Sequence, residues 1–209
     1  MKTQVVKRLA FPFIIALASI AGCHSGAKDS TAVADSANQK GIAKTDSAAK
    51  AQAVVADSSI HANKKLSEDA SKFLVKSYEA GMYEIQLSQM AATNGLDADV
   101  KSLAAALVPA HTAINSRISA IAASANFVLP AAIDADHQKD LQDMGKLTGA
   151  DFDKKYINAI VDGHKNAVDA YKDAYKNLGD GDTKIFAAET LPKIQDHLAM
   201  AKKVQDRIK

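Results

Sequence analysis

The chain of 209 residues contains one cysteine and no tryptophan, and its 26 lysines and arginines nearly balance its 24 aspartates and glutamates. Three of the basic residues lie in the first eight positions, so the remainder carries 23 basic and 24 acidic side chains. A single cysteine excludes internal disulfides and thiolate metal clusters. Lysines and aspartates are mixed throughout and form no clustered positive face, so we expect no nucleic-acid partner.

The first 22 residues are organised as a secretory signal peptide. The basic start is followed by an apolar run over residues 9–20, which has the length of a signal-peptide core and is too short to span a bilayer. The sequence Ile-Ala-Gly-Cys at residues 20–23 resembles the lipobox of bacterial lipoproteins. We therefore predict a signal peptide over residues 1–22 and lipidation of Cys23. The alternative is an ordinary signal peptide followed by a chance cysteine.

A lipidated Cys23 defines an expected location for the protein. The lipid would anchor the chain to a membrane of the cell envelope, with the remainder facing the periplasm. His24 follows the cysteine, at a position where an aspartate favours retention in the inner membrane of some bacteria. We therefore expect attachment to the outer membrane, with the membrane itself as a partner of the protein.

Residues 23–65 are low in complexity and differ from the rest of the chain. After the cysteine they consist mainly of alanine, serine, aspartate, lysine and threonine, and they contain no aromatic residue. Such a segment buries too little apolar surface to offset the entropy lost on ordering, so we predict a flexible tether. The folded domain is then residues 66–209, a size that one hydrophobic core can support.

The domain has a helical apolar pattern from end to end. Long amphipathic helices are predicted over about 66–93, from Asp97 to about 125, after Thr148, and after the Gly-Asp-Gly-Asp turn at 179–182. A short helix is predicted within the crossing segment 131–149. No stretch alternates apolar and polar residues with the period of a strand. The pattern predicts an all-α four-helix bundle in which two helical pairs are joined by the long crossing segment.

Each long helix has one residue with a metal-binding side chain on its apolar face. Helical spacing puts Glu84 between Gly81 and Leu87, whereas Glu79 is expected to project from the opposite side. The same spacing turns three histidines toward the core, namely His111, His164 and His197. At ~1.5 Å per residue from the nearest turn, all four lie near the middle of the bundle, within roughly two helical turns of each other.

Three inward histidines and a carboxylate require polar partners, because each unpaired polar group in a core costs ~1 to 3 kcal/mol. Imidazole nitrogens with one carboxylate oxygen suit zinc, copper or iron. One prediction is therefore a transition-metal site formed by Glu84, His111, His164 and His197. The alternative is a buried network in which Glu84 accepts hydrogen bonds from the histidines and fixes the helix register without an ion.

Several segments together carry a resemblance to a known family: GMYEIQL at 81–87, the histidine of HT at 111, DADHQ at 134–138, TGADFDKKY at 148–156, His164, and TLPKIQDHL at 190–198. They resemble the bacterial envelope family called domain of unknown function 4142. The resemblance covers nearly all of the predicted domain and implies a ferritin-like bundle in a secreted or lipid-anchored protein. The recurrent polar positions of the family fall here on Glu84, His111, His137, His164 and His197. His137 lies in the crossing segment, where we expect it to pack or cap rather than bind metal.

A di-iron centre does not follow from the ferritin-like resemblance. Such centres use a Glu-x-x-His pair on two helices together with further glutamates, whereas the residues three positions before the core histidines are Val108, Val161 and Ile194. The chain also has no nucleophile elbow, phosphate-binding glycine loop or Ser-His-Asp set, so we do not expect an enzyme. Two functions are predicted as alternatives, a metal-binding lipoprotein and a structural or interaction lipoprotein.

Overall fold

The computed structural model describes residues 65–179 and 181–209, so the predicted signal peptide, Cys23 and the predicted tether up to residue 64 lie outside the described residues. All regular secondary structure in this described part is helical, as predicted. The helices are α1 Glu68–Asn94, α2 Ala98–Ser124, α3 Ala135–Met144, α4 Gly149–Asn177 and α5 Gly181–Ile208. None of them is long and apolar enough to cross a membrane.

Short polar side chains fix where the helices begin. Ser67, Asp97 and Asp134 precede α1, α2 and α3, and the side chain of each accepts a hydrogen bond from a backbone N–H of the first turn. These N–H groups have no acceptor within the helix, so the caps satisfy them. Asp97 is the cap that the sequence predicts. Asp153 of α4 reaches the turn between α1 and α2, where its carboxylate accepts hydrogen bonds from the backbone N–H groups of Leu96 and Asp97. This contact ties the first helical pair to the second.

The four long helices form a bundle. Helix α1 packs mainly against α2, and α4 mainly against α5, while α1 also meets α4 and α2 meets α5. The short α3 lies in the crossing segment and packs on α1 and α4. Because α1 has three neighbours, it is buried over more than one apolar stripe. The predicted outward position of Glu79 is therefore wrong, since the residue is buried with 6% of its surface exposed.

Two hydrophobic clusters fill the interior, one toward each end of the bundle. The first cluster contains Leu107, Phe152 and Tyr156, and the second contains Leu74, Ile118 and Phe186. Each long helix contributes residues to both clusters, and a short interval of the helix separates the two sets. The intervals are 74–87 on α1, 107–114 on α2, 161–168 on α4 and 194–201 on α5. The middle of the bundle is thus a separate layer between two apolar ends.

Candidate metal centre

The predicted metal-binding residues occupy the layer between the two clusters. Glu84, His111, His164 and His197 each lie inside the interval where the clusters meet on their own helix, and we call these four residues the polar layer. All four are buried. One side chain enters from each long helix, as the helical spacing predicts, because the apolar face fixes the direction and the rise per residue fixes the depth.

The three imidazole rings form a nearly equilateral cluster. Ring centroids are 5.3 Å apart for His111 and His164, 5.3 Å for His111 and His197, and 5.4 Å for His164 and His197. One ring nitrogen from each histidine lies within 4.8 Å of the other two. Zinc–nitrogen bonds of about 2.0 Å bring tetrahedral ligand atoms to about 3.3 Å from each other. Each ring would therefore move inward by about 1 Å to hold one ion.

A backbone hydrogen bond sets the tautomer of His164. Its Nδ1 lies 2.9 Å from the carbonyl oxygen of Ile160, one turn earlier on α4. Because a carbonyl oxygen can only accept, Nδ1 carries the hydrogen, and the lone pair of the neutral ring is on Nε2. Nε2 is buried and has no hydrogen-bond partner among the described residues. This arrangement, with one nitrogen anchored and the other free, is the one that metal-binding histidines adopt.

Glu84 brings the negative charge of the layer. Its Oε2 lies 2.9 Å from Nε2 of His111 and 3.6 Å from Nδ1 of His164. The first distance is within hydrogen-bonding range, although neither Glu84 Oε2 nor His111 Nε2 has a hydrogen bond of full geometry among the described residues. The contact is mainly electrostatic, and it lowers the pKa of the Glu84 carboxyl. It leaves a carboxylate oxygen and an imidazole nitrogen both facing the same small space.

Burial and mutual contact control protonation in the polar layer. Burial raises the pKa of the Glu84 carboxyl, but the attraction of the three histidines outweighs it and holds that pKa below its usual range. Burial also lowers the pKa of His164. Burial, reinforced by His111 and His164, lowers the pKa of His197 to about 4. Near neutral pH, Glu84 is ionised and both of these rings are neutral, which are the forms that bind metal.

The donor atoms of the layer fit a transition-metal ion. Within the layer, four buried atoms, one from each long helix, have no hydrogen bond among the described residues: Glu84 Oε2, His111 Nε2, His164 Nε2 and His197 Nδ1. The first two lie 2.9 Å apart, whereas leaving the other two unpaired costs about 1 to 3 kcal/mol each. One ion bound among them would use all four lone pairs, and the set of three imidazoles and a carboxylate matches the preference of zinc, copper and iron.

His137 lies apart from the polar layer. Its backbone N–H donates to Oδ1 of Asp134 at the start of α3, and its Nδ1 lies 2.9 Å from Oδ2 of the same residue. Its ring packs against Tyr83, with ring centroids 4.5 Å apart. These contacts give His137 the packing and capping role that the sequence predicts.

The close contacts of two glycines and an asparagine beside the layer were not predicted from the sequence. Asn115, one turn after His111, donates from Nδ2 to the carbonyl of Tyr78 and lies so close to Gly81 that a Cβ there would collide with it. A Cβ on Gly163 would approach Oε1 of Glu84 to 3.2 Å. Glycine inside a helix costs about 1 kcal/mol relative to alanine, so its occurrence in α1 and α4 is a sequence signal of close approach.

The fold and the layer define the protein as a four-helix bundle with a buried group of three histidines and a carboxylate. The chain belongs to the family named domain of unknown function 4142, whose model matches residues 55–204. The matched range contains the whole polar layer and starts within the segment predicted as a tether. No curated protein and no solved structure matches the chain.

Proposed function

We propose that this protein is a metal-binding lipoprotein of the bacterial envelope, in which Glu84, His111, His164 and His197 hold one transition-metal ion inside a ferritin-like bundle. The observation that carries the proposal is the group of three buried histidines with ring nitrogens within 4.8 Å of one another, beside which the Glu84 carboxylate lies 2.9 Å from His111. Zinc, copper and iron suit these donors. The proposed role is binding rather than catalysis.

The charge of the layer supports a cation. Glu84 is ionised while His164 and His197 are neutral, so these three residues offer one carboxylate and two neutral imidazoles to a cation. A divalent cation is attracted to the carboxylate and at the same time uses the unpaired nitrogens. One carboxylate, however, is too few for the two irons of a di-iron centre, which needs several glutamates.

Thermal unfolding with and without metal tests this proposal. The purified protein is stripped with a chelator and titrated with zinc, copper or ferrous iron. Metal at a hundredfold excess over its Kd stabilises the native state by about 2.7 kcal/mol, a rise in Tm on the order of 10 °C. His111→Ala, His164→Ala and His197→Ala should each abolish the rise, whereas the matched control His137→Ala should keep it. Elemental analysis of the untagged protein should find about one equivalent of metal.

The second candidate function is a polar layer that only fixes the register of the helices. The 2.9 Å contact between Glu84 and His111 favours it, because such a pair restricts how α1 and α2 slide past each other. In that case, Tm of the stripped parent protein does not respond to zinc, copper or ferrous iron. A Tm indifferent to all three metals would therefore overturn the metal-binding function and leave the structural one.

The lipid anchor is a separate part of the proposal and has its own test. It is supported by the lipobox-like sequence that ends at Cys23, the only cysteine of the chain. Cys23→Ser should abolish labelling by a fatty-acid analogue and release the protein from the membrane fraction. His24→Asp should keep the label but move the protein from the outer to the inner membrane. Unchanged labelling of Cys23→Ser would refute the anchor.

A further inference from the structure

A long groove between α1 and α4 leads from the surface to the polar layer. Its volume is about 500 Å³, within the range of small-molecule sites. At one end it is lined by Glu84, His111 and Gly163, and at the other by Asp69 and Leu178. The groove therefore makes the candidate metal centre accessible from outside, although its residues are buried in the bundle.

Small residues on both helices create the groove. Ala80 and Gly81 of α1 face Gly163, Ala167 and Ala170 of α4 across it, so the two helices leave unfilled space where larger side chains would meet. At Gly163 the missing side chain is what opens the groove onto the carboxylate, since a Cβ there would come within 3.2 Å of Glu84 Oε1.

The walls of the groove are mainly apolar, with polar side chains at the rim and at the inner end. Phe73, Ile114, Tyr171 and Ala174 line the walls, and exposed side chains that include Asp69, Lys72, Lys76 and Asp173 line the rim. At the inner end, Glu84 is 95% buried, because only 5% of its surface is exposed, and its Oε2 has no hydrogen-bond partner among the described residues. A ligand that fits must therefore have an apolar body and a polar group at one end.

The shape of the groove selects a linear ligand. It follows α1 from Asp69 to Glu84 and α4 from Gly163 to Leu178, a length of ~22 Å at 1.5 Å per residue. A volume of about 500 Å³ spread over that length makes the groove long and narrow. It accommodates one extended hydrocarbon chain and is poorly suited to a broad ring system.

The charge of the metal-loaded layer selects an anionic head group. Neutral histidines add no charge, so a divalent ion and the Glu84 carboxylate together leave one positive charge in the interior. A net buried charge is costly, and a single anionic group at the inner end of the groove would neutralise it. Carboxylate oxygens are also ligands that zinc accepts.

We propose that the groove between α1 and α4 binds a single-chain amphiphile with an anionic head group, of which fatty acids are the simplest class. The chain lies along the groove and the head group reaches the polar layer beside Glu84 and His111. This inference rests on the proposed metal-binding function, because the metal supplies the positive charge that attracts the head group.

Chain length provides the test. Cobalt is loaded into the stripped protein, and its visible absorption is followed during titration with acetate, hexanoate and decanoate. Full burial of a methylene group increases affinity about fourfold, and a groove open along one side should give about twofold. The eight additional methylene groups of decanoate should then make it bind on the order of a hundredfold more tightly than acetate.

A variant that fills the groove distinguishes the contribution of the hydrocarbon chain to affinity from that of the head group. Ala170 lies about 10 Å along α4 from Gly163, beyond the reach of acetate. Ala170→Trp should leave acetate binding unchanged and remove most of the advantage of decanoate, whereas Ala120→Trp, which places the same ring at an exposed position of α2 outside the groove, should behave like the parent.

The outcomes distinguish the two proposals. A normal cobalt spectrum with affinity independent of chain length, or with the same chain-length dependence in Ala170→Trp as in the parent, would overturn the amphiphile site alone. Failure to bind cobalt, zinc, copper or iron would overturn the metal function, and the amphiphile site with it, because the head group would lose its partner.

Discussion

The second hydrophobic cluster and the polar layer are neighbours in one bundle, yet they differ in what holds them together. Leu74, Ile118 and Phe186 in the cluster are fully buried and pack against other apolar side chains. The layer next to them is almost as buried but contains four polar atoms without hydrogen bonds among the described residues. The cluster stabilises the fold, whereas the metal-free layer costs stability. A region that costs stability in the middle of an otherwise consistent core indicates a function.

The largest effect is expected from the cluster. Phe186 packs against Phe73 and Tyr171, with ring centroids 6.2 and 5.8 Å apart. Phe186→Ala removes this packing and leaves a cavity, so the free energy of unfolding should fall by about 3 to 5 kcal/mol in urea denaturation. The loss should be the same with and without metal. A loss below about 1 kcal/mol would mean that the cluster is not the stabilising region.

Lowering the pH should reduce the contribution of the polar layer to the free energy of unfolding and leave that of the cluster unchanged. The pKa of His197 is about 4 in the folded protein and 6.5 in the unfolded chain. Between these pH values the unfolded chain binds more protons than the folded protein, so the free energy of unfolding falls as the pH decreases. The lowered pKa values of Glu84 and His164 act in the same direction.

The expected loss from His197 between pH 6.5 and 4 is about 1 to 2 kcal/mol, after allowance for solvent screening. Urea denaturation of the metal-free protein across this range measures it. His197→Leu should show a shallower dependence on pH, whereas Phe186→Ala should keep that of the parent. An identical slope in His197→Leu would contradict the assignment of this loss to His197.

A substitution in the layer should have the opposite sign from one in the cluster. His197→Leu replaces an unpaired buried nitrogen with a side chain that matches Ile194 and Ala201 on the same face of α5. In metal-free protein it should raise the free energy of unfolding by about 1 kcal/mol. The same variant should lose the stabilisation by added metal. If His197→Leu instead lowers the free energy of unfolding of the metal-free protein by more than about 2 kcal/mol, His197 already has a structural partner.

The smallest effect is expected at the surface. Nη2 of Arg117 lies 2.6 Å from Oε2 of Glu189, and Cζ of Arg117 lies 5.3 Å from the ring centroid of Phe186. Both charged side chains are substantially exposed. Exposed ion pairs contribute about 0 to 1 kcal/mol, and Glu189→Gln should cost less than about 0.5 kcal/mol in the same denaturation experiment. A larger cost would mean that this pair belongs with the cluster beneath it.

Much of the layer could be predicted because it depends on local helix geometry. The period of the apolar residues predicts the direction of Glu84 and of the three histidines, and the distance from a turn predicts their depth. The same reasoning gave a wrong prediction for Glu79, which is buried. One apolar stripe describes a helix with one buried face, whereas α1 is covered by α2, α3 and α4. Burial on the remaining faces depends on neighbours that the period of α1 does not reveal.

The sequence by itself determined the all-α class, the approximate limits of the helices, the Asp97 cap and the four inward side chains, because each of these follows from contacts within a few residues. Only the tertiary structure decided that the three rings meet with nitrogens within 4.8 Å, that Glu84 lies 2.9 Å from His111, and that a groove separates α1 from α4. These features depend on how far apart whole helices pack. That distance is set by side chains meeting across an interface, such as Asn115 over Gly81, and no single helix contains both members of such a pair.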